Sequence, residues 1–134
     1  EDGNVLYVAE TVGKKISEYA IDKSSHELTF IQSTDFNSGV DNIELDKEGN
    51  LWIGSHPQLL TFTRHAKNSD IFSPSQVFKV SLGDENQVEE VYLNDGGELS
   101  GSSVAATWEN NLLIGPVLED HFLHCRYNQD SLIE

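Results

Sequence analysis

The sequence predicts an all-β chain that builds about three blades of a β-propeller. One apolar strand pattern led by asparagine recurs, as Asn4-Val5-Leu6-Tyr7-Val8-Ala9, Asn50-Leu51-Trp52-Ile53-Gly54 and Asn111-Leu112-Leu113-Ile114-Gly115. Each copy is followed by a polar break and a second strand pattern, at Lys15 to Ile21, Leu59 to Arg64 and His121 to Tyr127, and no stretch carries a convincing helical period. A recurrence of about 45 to 60 residues, each unit holding about four short strands, marks a propeller blade. A β-sandwich also uses short strands at such spacing, but gives no reason for the repeated strand.

The turns support this reading. Asp2-Gly3 precedes the first copy and Glu48-Gly49 the second, where glycine supplies the positive φ of a tight hairpin. Gly96-Gly97 reads as another hairpin turn. Between the repeats, Leu28 to Ser33, Val40 to Asp46, Gln76 to Ser81, Val88 to Leu93 and Ser103 to Trp108 are rich in β-branched and aromatic residues and read as further strands. Propellers close with four to eight blades. Three blades would leave two apolar flanks open, which soluble monomers avoid, so the remaining blades are expected from an upstream segment rather than from a second copy of the chain.

Composition narrows the function classes. With 134 residues, 37% of them hydrophobic, there is material for a packed core. Eight basic residues against 23 acidic ones give a net charge of -15, which repels phosphate backbones and makes nucleic acid an unsuitable partner. The acid excess suits a solvated surface or the recruitment of divalent cations, and charge does not choose between them. No apolar run approaches the roughly 20 residues of a membrane-spanning helix, and Glu1 to Asn4 lack a signal pattern. Cys125 is the single cysteine, so any disulfide must reach beyond this sequence.

Few residues suggest chemistry. Asp41-Asn42, after the turn-prone Asn37-Ser38-Gly39, offers two hard oxygen donors of the kind calcium takes, although an Asx pair near a turn commonly bonds its own backbone. His56, in Ser55-His56-Pro57, follows the second repeat strand and could line a pocket or serve structure. His121 and His124 are expected on opposite faces of one strand, which argues against a shared zinc. Ser103 sits beside Gly101-Ser102, but there is no Gly-x-Ser-x-Gly elbow and no serine triad can be assembled.

Read together, Leu6-Tyr7-Val8-Ala9-Glu10, Lys15-Ile16, Tyr19, Asp35-Phe36-Asn37, Val40-Asp41-Asn42-Ile43 and Asn50 to Pro57 resemble the C-terminal half of the paraoxonase/arylesterase family. Gly101-Ser102-Ser103-Val104-Ala105 and Leu112 to Gly115 resemble its final blade, and Cys125 matches its last cysteine. Two departures stand out: Ser55 where the family often has a free cysteine, and a longer tail from Arg126 to Glu134.

The resemblance implies that residues 1–134 form the C-terminal half of a single six-bladed propeller, a calcium-dependent hydrolase of lactones and aryl esters. It implies Asp41 and Asn42 as calcium ligands, His56, Ser103 and Val117 as pocket wall, and a disulfide from Cys125 to an upstream cysteine. That bond would place the protein in a secreted or lumenal setting, with membrane or lipoprotein association through upstream segments. Two ligands cannot hold a calcium that takes six or more oxygens, so the chain alone is expected to be inactive. A non-catalytic relative, acting as a chaperone or as an accessory subunit of a membrane complex, is the competing expectation; a related propeller with a different metal is a third.

Overall fold

A computed structural model describes residues 3–127, so Asp2 of the first predicted turn and the tail beyond 127 lie outside the described residues. Ten strands and one helix follow in the order β1 (Val5–Glu10), β2 (Lys15–Ile21), β3 (Leu28–Asp35), β4 (Gly39–Leu45), β5 (Leu51–His56), α1 (Leu59–His65), β6 (Ser75–Ser81), β7 (Gln87–Asn94), β8 (Ser102–Trp108), β9 (Asn111–Pro116) and β10 (Leu123–Arg126). They make three antiparallel sheets, ordered β1-β2-β3, β4-β5-β6-β7 and β8-β9-β10. The architecture is all-β and matches part of a propeller.

The repeated asparagine-led pattern is β1, β5 and β9. In the four-stranded sheet β5 is the second strand, so β4 and β8 are first strands of their blades. By that phase, among the described residues, the first sheet holds strands two to four of a blade and the third sheet strands one to three. The asparagine is a turn residue: Asn111 Nδ2 donates to the Trp108 carbonyl at 3.1 Å, and Asn50 donates to Asp46 through both its amide N–H and its Nδ2, each at 2.8 Å. Gly3 and Gly49, at φ +67° and +86°, adopt the left-handed conformation the turns require.

Every residue of β5 is buried, because it is the second strand of a blade covered on both faces. Leu51 and Ile53 join Ile16, Phe36, Val40, Phe78 and Val80 in one core, while Trp52, one step out of phase, joins Val77, Leu99, Ala105, Leu112 and Ile114 in the other. The free faces of the outer sheets remain apolar: Leu28, Phe30 and Ile31 on β3 are 48–56% exposed and Trp108 on β8 is 63% exposed.

Asp46 ties the β4–β5 turn to the second core. Its carboxylate accepts hydrogen bonds from the Glu48 and Asn50 amides, Asn50 Nδ2 and Trp52 Nε1, the last at 2.9 Å. Burial pushes this carboxyl up, but the four bonds outweigh it and hold it below its ordinary value. A depressed pKa in the fold means the contribution is full above the ordinary carboxylate pKa, about 4, and is lost as pH falls below it. Asp46→Ala is therefore expected to cost about 2 kcal/mol at neutral pH, with the gap to the parent in urea denaturation narrowing as the pH falls below the ordinary carboxylate value and through the depressed one of the fold.

Three expectations are corrected. Leu59 to Arg64 forms most of α1 rather than a strand: Leu59, Phe62 and His65 recur at helical spacing on the inward face, and the strand that pairs with β5 is β6, with Leu51 opposite Val80. Gly96-Gly97 is no hairpin, because β7 and β8 belong to different sheets. Gly96, at φ +102°, lets the crossover graze Ser73, whose carbonyl oxygen a Cβ would meet at 2.7 Å. His121 lies before β10, not on it, and bonds the Glu98 carbonyl at 3.2 Å, whereas His124, on the strand, bonds Asn111 Oδ1 at 2.7 Å.

Candidate functional site

The site gathers where β4 and β8 meet the end of β5. In a regular strand Asp41 and Asn42 would point to opposite faces. The β4–β5 pairing slips here: Val40 faces Ser55 and Ile43 faces Ile53, so two residues oppose Gly54 alone. This bulge breaks the alternation and turns both side chains toward β8. β8 has its own irregularity, with Ser102 opposite Pro116 and Val104 opposite Gly115, which throws Ser103 out of the ladder.

Four side chains meet as a result. Ser103 donates its hydroxyl to Asp41 Oδ2 at 2.8 Å and accepts from Asn42 Nδ2 at 2.7 Å. Asn42 Nδ2 also reaches the Ser103 carbonyl at 3.3 Å, and His56 Nε2 lies 3.3 Å from Asp41 Oδ2. Burial, the dominant influence, pushes the His56 imidazole below its usual pKa, and the Asp41 carboxylate pulls the other way without prevailing. The contact is thus a hydrogen bond from a neutral ring. With Nε2–H donating to the carboxylate, Nδ1 carries the lone pair, and that buried atom has no partner among the described residues.

Two contacts hold this cluster in place. Ser102 is fully buried; its Oγ accepts from the Gln76 amide at 2.9 Å and reaches the Ser55 carbonyl at 3.0 Å, anchoring the bulged end of β8 to β5 and β6. Gly54 lets β8 approach, since a Cβ there would lie 2.2 Å from the Ser103 carbonyl carbon. Sequence reasoning named Asp41, Asn42, His56 and Ser103, and these come together. Val117 makes no hydrogen bond to these four among the described residues; it lies in the bend after β9, 46% exposed, its N–H donating to the carbonyl of Gly101, against which Phe62 packs. Cys125 is remote on β10, packed against the second core, with burial and then Glu98 raising its thiol pKa. Phe62 was missed: its ring stacks on His56 with centroids 3.8 Å apart and planes 20° from parallel. The spacing of Leu59, Phe62 and His65 was the available signal.

The Ser55 hydroxyl is buried with no partner among the described residues. Ser55→Ala removes an unpaired polar group at the cost of one small atom, so the variant is expected to gain about 1 kcal/mol in denaturant midpoint analysis, with unchanged m-value.

The donor set suits a hard cation in part. Among the described residues, the hydrogen bonds of the Asp41 side chain fall on Oδ2 and those of the Asn42 side chain on Nδ2, which leaves Oδ1 of each as an uncommitted oxygen there. Two adjacent hard oxygens fit calcium and fall well short of the six to eight it takes.

A family model described as Arylesterase matches residues 1–127, the whole described span. The chain belongs to the arylesterase family. It is 38% identical over 120 residues to serum paraoxonase/arylesterase 1 of Homo sapiens, covering 87% of this chain and 33% of the relative. To serum paraoxonase/arylesterase 2 of Homo sapiens it is 30% identical over 128 residues, covering 92% and 35%. To mechanosensory abnormality protein 6 of Caenorhabditis elegans it is 28% identical over 127 residues, covering 90% and 33%. This member of the family therefore spans about a third of the length of these relatives, and every site residue described above lies in the span the family model matches.

Proposed function

We propose that the chain is the C-terminal part of a calcium-dependent hydrolase of lactones and aryl esters and is inactive without the segments its relatives carry beyond it. The observation that carries this reading is the double bulge, which turns Asp41 and Asn42 to one side and braces both with Ser103. Calcium, when bound, supplies a Lewis acid that polarises the substrate carbonyl and stabilises developing negative charge.

The chain's own residues prepare that chemistry. Asp41 and Asn42 would hold the ion through their Oδ1 atoms, and Ser103 fixes both groups so that little reorganisation is needed on binding. His56 and Phe62 close the inner side with a neutral ring pair that excludes water, and Val117 contributes an apolar edge. Cys125 would bond a cysteine outside this sequence in a secreted or lumenal setting, and membrane or lipoprotein association would come through those other segments.

The test is a thermal melt and lactone and aryl ester assays on the intact protein and on the 134-residue chain. Turnover and a calcium-induced rise in melting temperature are expected in the first and neither in the second; turnover by the isolated chain, or an intact protein indifferent to calcium, overturns the proposal. Mechanosensory abnormality protein 6, unlike the paraoxonases, names no hydrolase activity, and beside it stands one other reading, a non-catalytic chaperone or accessory subunit of a membrane complex. Calcium binding without turnover of any lactone or aryl ester would select it.

A further inference from the structure

We propose that Phe62 is the positioning residue for His56, and that α1 acts as a clamp on the three strand ends that form the site; this rests on the reading of that site as a hydrolase centre. The main chain of His56 is fixed by its pairing with Gly39, but the ladder does not set the side-chain torsions. One hydrogen bond restrains the ring, the 3.3 Å contact from Nε2 to Asp41, which is long for its kind, and Nδ1 has no partner among the described residues. The close face-to-face contact with Phe62 is the tighter restraint, since a ring covered at 3.8 Å cannot rotate out of its plane without a clash. Rotation would carry Nε2 off Asp41.

Phe62 is itself held. Leu59, one turn earlier, sits on the first residue of β4, where a Cβ at Gly39 would lie 2.4 Å from Leu59 Cδ2. The Phe62 ring lies against Gly101, at the entrance to β8, where a Cβ would fall 3.0 Å from the ring edge. His65, 2% exposed, closes the same face and bonds the Ile71 carbonyl through Nδ1 at 2.7 Å. The inward face of α1 therefore rests on the entry to β4, the end of β5 and the entry to β8, which carry Asp41, His56 and Ser103 respectively. Leu60, on the outward side, is 79% exposed.

The test compares Phe62→Leu and Phe62→Tyr with the parent in the intact protein. Leucine keeps apolar bulk and removes the flat ring; tyrosine keeps the ring. Stacking should move the His56 ring protons upfield in NMR spectra of the parent and of Phe62→Tyr, and Phe62→Leu should return them to their ordinary range. Phe62→Leu should also lose tenfold or more in kcat for a lactone with KM within about twofold, because small displacements of the groups that hold Asp41 and line the reaction site are costly, while Phe62→Tyr stays near the parent. Upfield ring protons that persist in Phe62→Leu, or a kcat that falls equally in both variants, overturn the proposal. A parent protein without turnover overturns the hydrolase reading instead, and the ring-proton shift then decides the positioning claim by itself.

Discussion

Gly54→Ala is expected to be the most destabilising single-methyl change in the chain, costing about 4 kcal/mol or more. The added Cβ would stand 2.2 Å from the Ser103 carbonyl carbon and 2.4 Å from both the Ser103 oxygen and the Val104 nitrogen. These are backbone atoms, so no rotamer change relieves the overlap. β5 and β8 must separate, and the interface between the second and third sheets opens with them, placing the substitution among the large overpacking effects. Gly115→Ala is the internal control. Its Cβ would meet Val104 Cγ1 at 2.9 Å, the end of a side chain that can yield, and a loss of about 1 kcal/mol is expected. Denaturant unfolding of both variants in the intact protein decides the matter; a Gly54→Ala midpoint no lower than that of Gly115→Ala would show that β8 is not pressed against β5 as described.

The same glycine shows what the sequence could disclose. The repeated strand pattern was visible because β5 is sandwiched between two cores and must be apolar on alternate residues in both directions, a demand that leaves a contiguous signature. The turn chemistry at Gly49 was equally local. What escaped depended on distant partners. α1 was read as strand because a short apolar segment fits either period, and only the packing of Leu59, Phe62 and His65 on the strand ends distinguishes them. Gly96-Gly97 looked like a hairpin because turn residues reveal a bend but not whether the chain returns to the same sheet.

The site was legible only through family resemblance. Ser103 lies 61 residues from Asn42 and 62 from Asp41, and their meeting depends on two bulges that break the period-two rule. No local pattern encodes that. Spacing alone favoured an Asx pair bonded to its own turn, whereas the fold sends both side chains across to the neighbouring blade.

At the calcium site proposed for the intact protein, Asp41→Asn should remove most of the affinity for the ion while leaving the fold in place. The substitution is nearly isosteric: with the amide oxygen kept in the Oδ1 place, its NH2 takes the Oδ2 place, where the Ser103 hydroxyl, now donating at 2.8 Å, can turn to accept. What disappears is the negative charge that the proposed site would place next to a divalent ion. A unit charge pair about 4 Å apart near a protein surface is worth about 4 kcal/mol, and with partial replacement by the amide dipole a loss of about 3 kcal/mol, or about a hundredfold in dissociation constant, is expected. Asn42→Ala removes a neutral donor and should cost about tenfold. Ser103→Ala removes no ligand but frees both, so its effect should fall on affinity without changing stoichiometry. Calcium titration with the melting temperature as readout orders the three. An Asp41→Asn protein whose calcium-induced shift equals that of the parent would place the ion elsewhere, and the bulge in β4 would then serve only to seat Ser103 against its neighbours.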